Sequence, residues 1–179
     1  MTKTSNIKED FIQPVVILAL ICLVASALLA WVNGITAPII DEQENAVANA
    51  ARREVLPEAD DFTELDGLPE DGFVTRAYKA NNGAGYVFMI TCDGFGGKGT
   101  MSLICGMDAD GKITATQTLA HEETPGMGSK TADQDWRDRF VGKDASGLDS
   151  IDTISGATFS SNYYLDGIRS AFEAYEIVK

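Results

Sequence analysis

From Phe11 to Ile40 the chain carries no charged side chain, and within that run Val15 to Val32 is apolar at every position except Ser26. At ~1.5 Å per residue the apolar stretch makes roughly 27 Å of helix, close to the ~30 Å hydrocarbon core of a bilayer. The run therefore reads as one transmembrane helix with Trp31 near an interface, where amphipathic rings settle. A buried core helix and a cleaved leader are the alternatives. Ala25-Ser26-Ala27 has the small-residue character of a cleavage site. The apolar run continues past it, however, and Glu9 and Asp10 stand where a leader would be basic, so an uncleaved signal anchor fits better.

The flanks set an expected orientation. Lys3, Lys8 and the amino terminus precede the run, whereas Asp41, Glu42 and Glu44 follow it. The positive-inside rule then leaves a cytoplasmic tail over residues 1–10, an anchor over 11–37, a helical stalk over 38–57 and an extracytoplasmic domain over 58–179. The expectation is therefore a single-pass protein of the cell (inner) membrane. A chain of 179 residues has room for one compact domain beside such an anchor. The four charges ahead of residue 41 cancel, so the whole formal net charge of −13 falls on the later part. A domain this acidic repels phosphate backbones, which argues against nucleic acid as a partner.

The three cysteines have no metal-ligand spacing, and His121 is the only histidine, so a zinc or haem site built by this chain is not expected. Cys22 falls within the anchor. Cys92 and Cys105 fall in predicted strands, either as two core thiols or as a pair if those strands are neighbours.

Behind the anchor, Asp41 to Leu56 has helical periodicity through Val47, Ala50, Ala51 and Val55, and Pro57 ends it. Residues 57–72 are acidic, with prolines and glycine, and read as a loop. The period then becomes alternating. Phe73 to Lys79, Gly85 to Thr91, Thr100 to Met107 and Lys112 to Leu119 read as strands, with Met101, Leu103, Cys105 and Met107 on one face. Asp108 to Gly111 makes a hairpin turn. Gly94 to Gly99 is a glycine-rich connection that either admits a ligand close to the backbone or simply bends. A short helix over Asp133 to Val141 places Trp136 and Phe140 together, and Leu148 to Ile154 allows one more strand. Ser161 to Ile177 is an amphipathic helix whose inner face is Leu165, Ile168, Phe172 and Tyr175. The expected class is α+β: a twisted antiparallel sheet packed by helices and preceded by one transmembrane helix.

The segment richest in chemistry is Asp152 to Ser161, where the chain enters the last helix. Its small residues let an anion approach the backbone, and helix-start amides with the helix dipole favour a phosphate. Ser155, Thr158, Ser160 and Ser161 add hydroxyls. The same residues would also serve as an ordinary helix cap.

Asp152, then Ser155-Gly156-Ala157-Thr158, then Ser160-Ser161, resembles the flavinylation motif of the FMN-binding domain family. The resemblance implies that the Thr158 oxygen bonds the FMN phosphate, and that a dedicated flavin transferase makes this bond with FAD as donor and magnesium as cofactor. It implies FMN as the cofactor, held by Ser155, Gly156, Ala157, Thr158, Ser160 and Ser161. A second segment, His121-Glu122-Glu123-Thr124-Pro125-Gly126-Met127-Gly128, resembles the family's loop near the flavin, with Met127 in place of the commoner leucine. It adds Glu123, Thr124, Pro125, Gly126 and Gly128 to the implied cofactor site, as a narrow turn whose amides can face a planar ring. His121 beside two glutamates is not taken as catalytic.

The resemblance covers about Tyr78 to Phe172. With the anchor, it is similar to the G subunits of Rnf-type ferredoxin:NAD⁺ oxidoreductase complexes and to the related C subunits of sodium-pumping NADH:quinone reductases. It implies a redox subunit working with other membrane subunits rather than a stand-alone enzyme. An FMN-binding domain serving another membrane reductase, and a cofactor-free extracytoplasmic module, are the competing readings.

Overall fold

The structure is a computed structural model that describes residues 13–69 and 72–179; the tail read over 1–10 lies outside them. The chain divides into two units, one up to Val47 and one from Ala48 to the end.

Helix α1 is assigned over Gln13–Val55. In the first unit it contains Pro14–Gly34, long and apolar enough to cross a membrane, with none of that stretch buried against protein. Ser26, the polar exception, donates its hydroxyl to the Cys22 carbonyl at 2.7 Å, which satisfies it within the helix where water is absent.

The second unit is built on a five-stranded antiparallel sheet in simple sequential order. Its strands are β1 (Phe62–Leu65), β2 (Val74–Ala80), β3 (Gly85–Gly94), β4 (Gly97–Asp108) and β5 (Ile113–His121). The register pairs Phe88 with Cys105 and Cys92 with Met101. Alternation sends β3 and β4 side chains to opposite faces. On one face Phe88, Ile90, Cys92, Met101, Leu103, Cys105 and Met107 pack with the inner side of α3 (Thr158–Val178). There the Tyr164 hydroxyl donates to Thr116 Oγ1 at 2.9 Å, so the buried phenol is satisfied. Short helix α2 (Gln134–Arg137) brings Trp136 edge-on to Phe140 and Tyr164.

The other face is covered by the end of α1. Ala51, Val55 and Leu56 form a second core with Tyr78, Ala80, Val87 and Ile104. The helical pattern placed Ala50 on the inner face, but Ala50 is exposed and Arg52 takes the buried place. Its guanidinium lies 3.6 Å from the centre of the Tyr78 ring and donates to Asn49 Oδ1. A cation over an aromatic face retains part of the interaction that water supplied; burial still pushes the arginine's pKa down.

Three further expectations are corrected. Residues 62–65, read as part of a loop, form edge strand β1, which pairs with β2 through its backbone and buries little. Leu148 to Ile154 is not a strand. Residues Ala145–Ser150 form a 3₁₀ turn, begun by Asp144, whose carboxylate accepts the Gly147 amide. A short capped turn satisfies these backbone groups locally and leaves the sheet nothing to pair with. Helix α3 also begins at Thr158 rather than Ser161.

Cys92 and Cys105 are both free and buried. In the β3–β4 register they are offset by four residues, roughly 14 Å along the strands, beyond the ~7 Å limit for a disulfide. Burial, with Asp93 adding to it, pushes the Cys92 thiol up to about 12, and burial pushes Cys105 up as well. Both are core thiols.

Candidate functional site

Two turns and a helix start bring the motif residues together. The first turn is Ile154 to Ala157, closed by the Ala157 amide donating to the Ile154 carbonyl. Gly156 stands at its third position with φ +82°, a conformation costly for any residue with a Cβ. Ser161 secures this turn from the helix. Its hydroxyl accepts the Ile154 amide and donates to the Ala157 carbonyl.

Helix α3 then opens without a side-chain cap: its N-cap is Ala157. The first helical bond runs from the Ser161 amide to the Ala157 carbonyl. The amides of Thr158, Phe159 and Ser160 therefore lie ahead of the helical ladder, where a helix has donors but no partners of its own. The Ser and Thr hydroxyls here do not cap the helix, which removes the ordinary explanation for them. Thr158 is exposed at the first helical position.

The second turn is Thr124 to Met127, with Pro125 at its first corner and Gly126 at φ +77° at its second, the residues a type II turn prefers. The Met127 and Ser129 amides donate to the Thr124 carbonyl, and the Gly126 amide donates to Ser129 Oγ. These amides are spent inside the turn rather than turned outward, as the resemblance had implied they could be.

Between the two turns lies a cavity of about 150 Å³. Glu123, Thr124, Gly128, Gly156, Ala157, Thr158 and Ser160 all line it. Ser155, Pro125, Gly126 and Ser161 do not; the first three are corners of the two turns and Ser161 ties the first turn to the helix. Three more residues line it: Met127 from the loop read as near the flavin, Phe95 from the glycine-rich connection, and Phe159, which the sequence reading had not singled out. Phe95 and Phe159 are each 66% exposed and Met127 is 53% exposed, an apolar rim on an otherwise acidic domain. The only available signal was their adjacency, since Phe95 interrupts the glycine run and Phe159 follows Thr158 directly.

An FMN group fits this chemistry. Unpaired amides and a hydroxyl suit the phosphate end, and aromatic and thioether surface suits a planar ring. The comparisons agree. A model of the FMN-binding domain matches residues 94–173, which spans both turns and the cavity. A second model, the RnfG N-terminal region, matches residues 10–55. Among curated relatives, the G subunit of the Na⁺-translocating ferredoxin:NAD⁺ oxidoreductase complex of Acetobacterium woodii is 30% identical, with 89% of each chain covered. This chain belongs to the RnfG family. The N-terminal match and the relatives named here are all of the Rnf branch, one of the two that the motifs alone left open. The G subunit of the proton-translocating ferredoxin:NAD⁺ oxidoreductase complex of Clostridium ljungdahlii is 28% identical over 87% of this chain and 86% of its own. The G subunit of the ion-translocating oxidoreductase complex of Methanosarcina acetivorans is 29% identical over 92% and 94%. Family membership and the apolar helix Pro14–Gly34 together make this a membrane-anchored protein with an FMN-binding domain.

Proposed function

We propose that this chain is the electron-carrying subunit of an Rnf-type ferredoxin:NAD⁺ oxidoreductase, and that it holds FMN through a phosphodiester to Thr158. One observation carries the attachment. Thr158 is exposed, lines the cavity and carries the first of three amides that precede the helical ladder. The neighbouring hydroxyls are differently placed. Ser160 and Ser161 are buried and engaged in hydrogen bonds, and Ser155 lies outside the cavity wall. Thr124 also lines the cavity, but it stands in a turn rather than at the first position of a helix.

Bound FMN supplies one- and two-electron redox chemistry, and a phosphodiester leaves its ring unmodified. This chain's residues supply the rest. The α3 amides and dipole hold the remaining phosphate charge, while Gly156 keeps the approach to Thr158 open. Phe95, Met127 and Phe159 offer apolar surface to the ring, and Glu123 and Gly128 form the wall behind it. The partners are the other membrane subunits of the complex and, during maturation, a flavin transferase.

The direct test is peptide mapping of the full chain co-expressed with a flavin transferase. The FMN mass increment should lie on the tryptic fragment spanning residues 144–169, and an adduct on residues 113–130 would move it to Thr124 instead.

The domain is proposed to face away from the cytoplasm, because Lys3 and Lys8 precede the anchor and Asp41, Glu42 and Glu44 follow it. Protease added outside cells stripped of wall or outer membrane should degrade the domain. Digestion only in inverted vesicles would reverse the orientation.

A further inference from the structure

Glu123 is only 5% exposed, yet it lines the cavity. Its two carboxylate oxygens reach two different elements. Oε1 accepts the Phe95 amide at 2.8 Å, from the tip of the β3–β4 hairpin. Oε2 accepts the Ser160 hydroxyl at 2.5 Å, from the first turn of α3. Both contacts use Glu123 as an acceptor, the role of an ionised carboxylate. Among the described residues no ion pair includes it. Two glycines make room for it. A Cβ on Gly94 would collide with Oε1, and one on Gly128 would collide with Oε2. The backbone on both sides is thus shaped around this one carboxylate.

A buried charge is normally paired with a cation or fully hydrogen-bonded. Here two donors from two different elements lining the cavity satisfy it, and no cation among the described residues forms an ion pair with it. We infer that Glu123 is a positioning residue: it latches the Phe95 hairpin tip to the start of α3 and fixes a negative charge in the wall of the flavin cavity. The latch follows from this chain's own bonds, whereas the effect of the charge on the flavin rests on the Thr158 reading. Reduction adds negative charge to the ring, and a carboxylate in a low-dielectric wall opposes that. Glu123 therefore holds the flavin potential down.

Two measurements test this. In the full chain made without a flavin transferase, the Phe95 amide should be protected from hydrogen exchange. Glu123→Ala should speed its exchange about tenfold or more, because a charge-assisted bond is lost. Unchanged exchange at Phe95 would overturn the latch. In the flavin-loaded full chain, Glu123→Gln removes the charge while an amide of the same shape replaces it. Among loaded molecules only, as identified by their mass, the midpoint potential should shift positively. An unchanged or lowered midpoint would overturn the role of the charge. A wild-type chain that never acquires FMN would defeat the Thr158 reading, and the exchange experiment would still decide the latch.

Discussion

Thr158→Ala should fold as the wild type does and carry no covalent flavin at all. Folding is expected to survive because the Thr158 side chain is exposed and does not cap α3, whose N-cap residue is Ala157. A capping hydroxyl would cost about 0.5–2 kcal/mol on removal. A surface group without that role costs within about 0.5 kcal/mol. Attachment should be abolished because alanine has no oxygen to bond to phosphorus. The readout is flavin fluorescence in a denaturing gel, with intact mass as a check. Thr158→Ser keeps an oxygen at the same helix position and should retain part of the label. A folded alanine variant that still fluoresces after denaturation would place the bond elsewhere, with Thr124 the first alternative on the cavity wall.

The strands and the last helix were legible in the sequence because burial there follows a simple period. Phe88, Ile90 and Cys92 in β3 and Met101 to Met107 in β4 alternate inward as their spacing predicts. In α3, Leu165, Ile168, Phe172 and Tyr175 are all buried. What escaped was structure held by something other than periodic apolar burial. Strand β1 is four residues at a sheet edge, paired by backbone and largely exposed. Arg52 is buried because the Tyr78 ring lies under it, a contact between residues distant in sequence. The 3₁₀ turn at Ala145–Ser150 is set by one Asp144 carboxylate. At the site, the Ser-Gly-Ala-Thr segment was found by resemblance, yet its geometry was not. Polar residues such as Thr158 and Ser160 carry no helical period, so the helix start was read at Ser161, three residues after its true position at Thr158. The aromatic rim of Phe95 and Phe159 likewise has no pattern, since it becomes one surface only when the hairpin tip and α3 meet.

The second large effect is expected at Gly106, and it should be one of stability. The last turn of α1 ends on the sheet with the Val55 carbonyl above Gly106, where it accepts the Thr114 hydroxyl at 2.5 Å. A Cβ on Gly106 would lie 2.5 Å from that carbonyl oxygen and 2.6 Å from Thr114 Oγ1. Neither neighbour is a flexible side-chain tip: one is backbone and the other is on a β-branched residue within β5. Gly106→Ala must therefore lift the helix end from β4 and break its bond to Thr114. Overpacking of this kind costs about 1–3 kcal/mol, and a buried carbonyl left without its donor costs roughly a further 1–3 kcal/mol. Thr114→Val removes only the donor and should show the second part alone. At about 2–4 °C per kcal/mol for a chain of this size, the alanine variant should melt clearly below both wild type and Thr114→Val in detergent. The flavin should be spared, because Gly106 lies roughly 30 Å along β4 from the Phe95 tip. Folded Gly106→Ala molecules should carry the full FMN mass increment. A variant melting with the wild type would show that the α1 end does not rest on Gly106. One that folds normally but loses its flavin would show that the two ends of β4 are coupled.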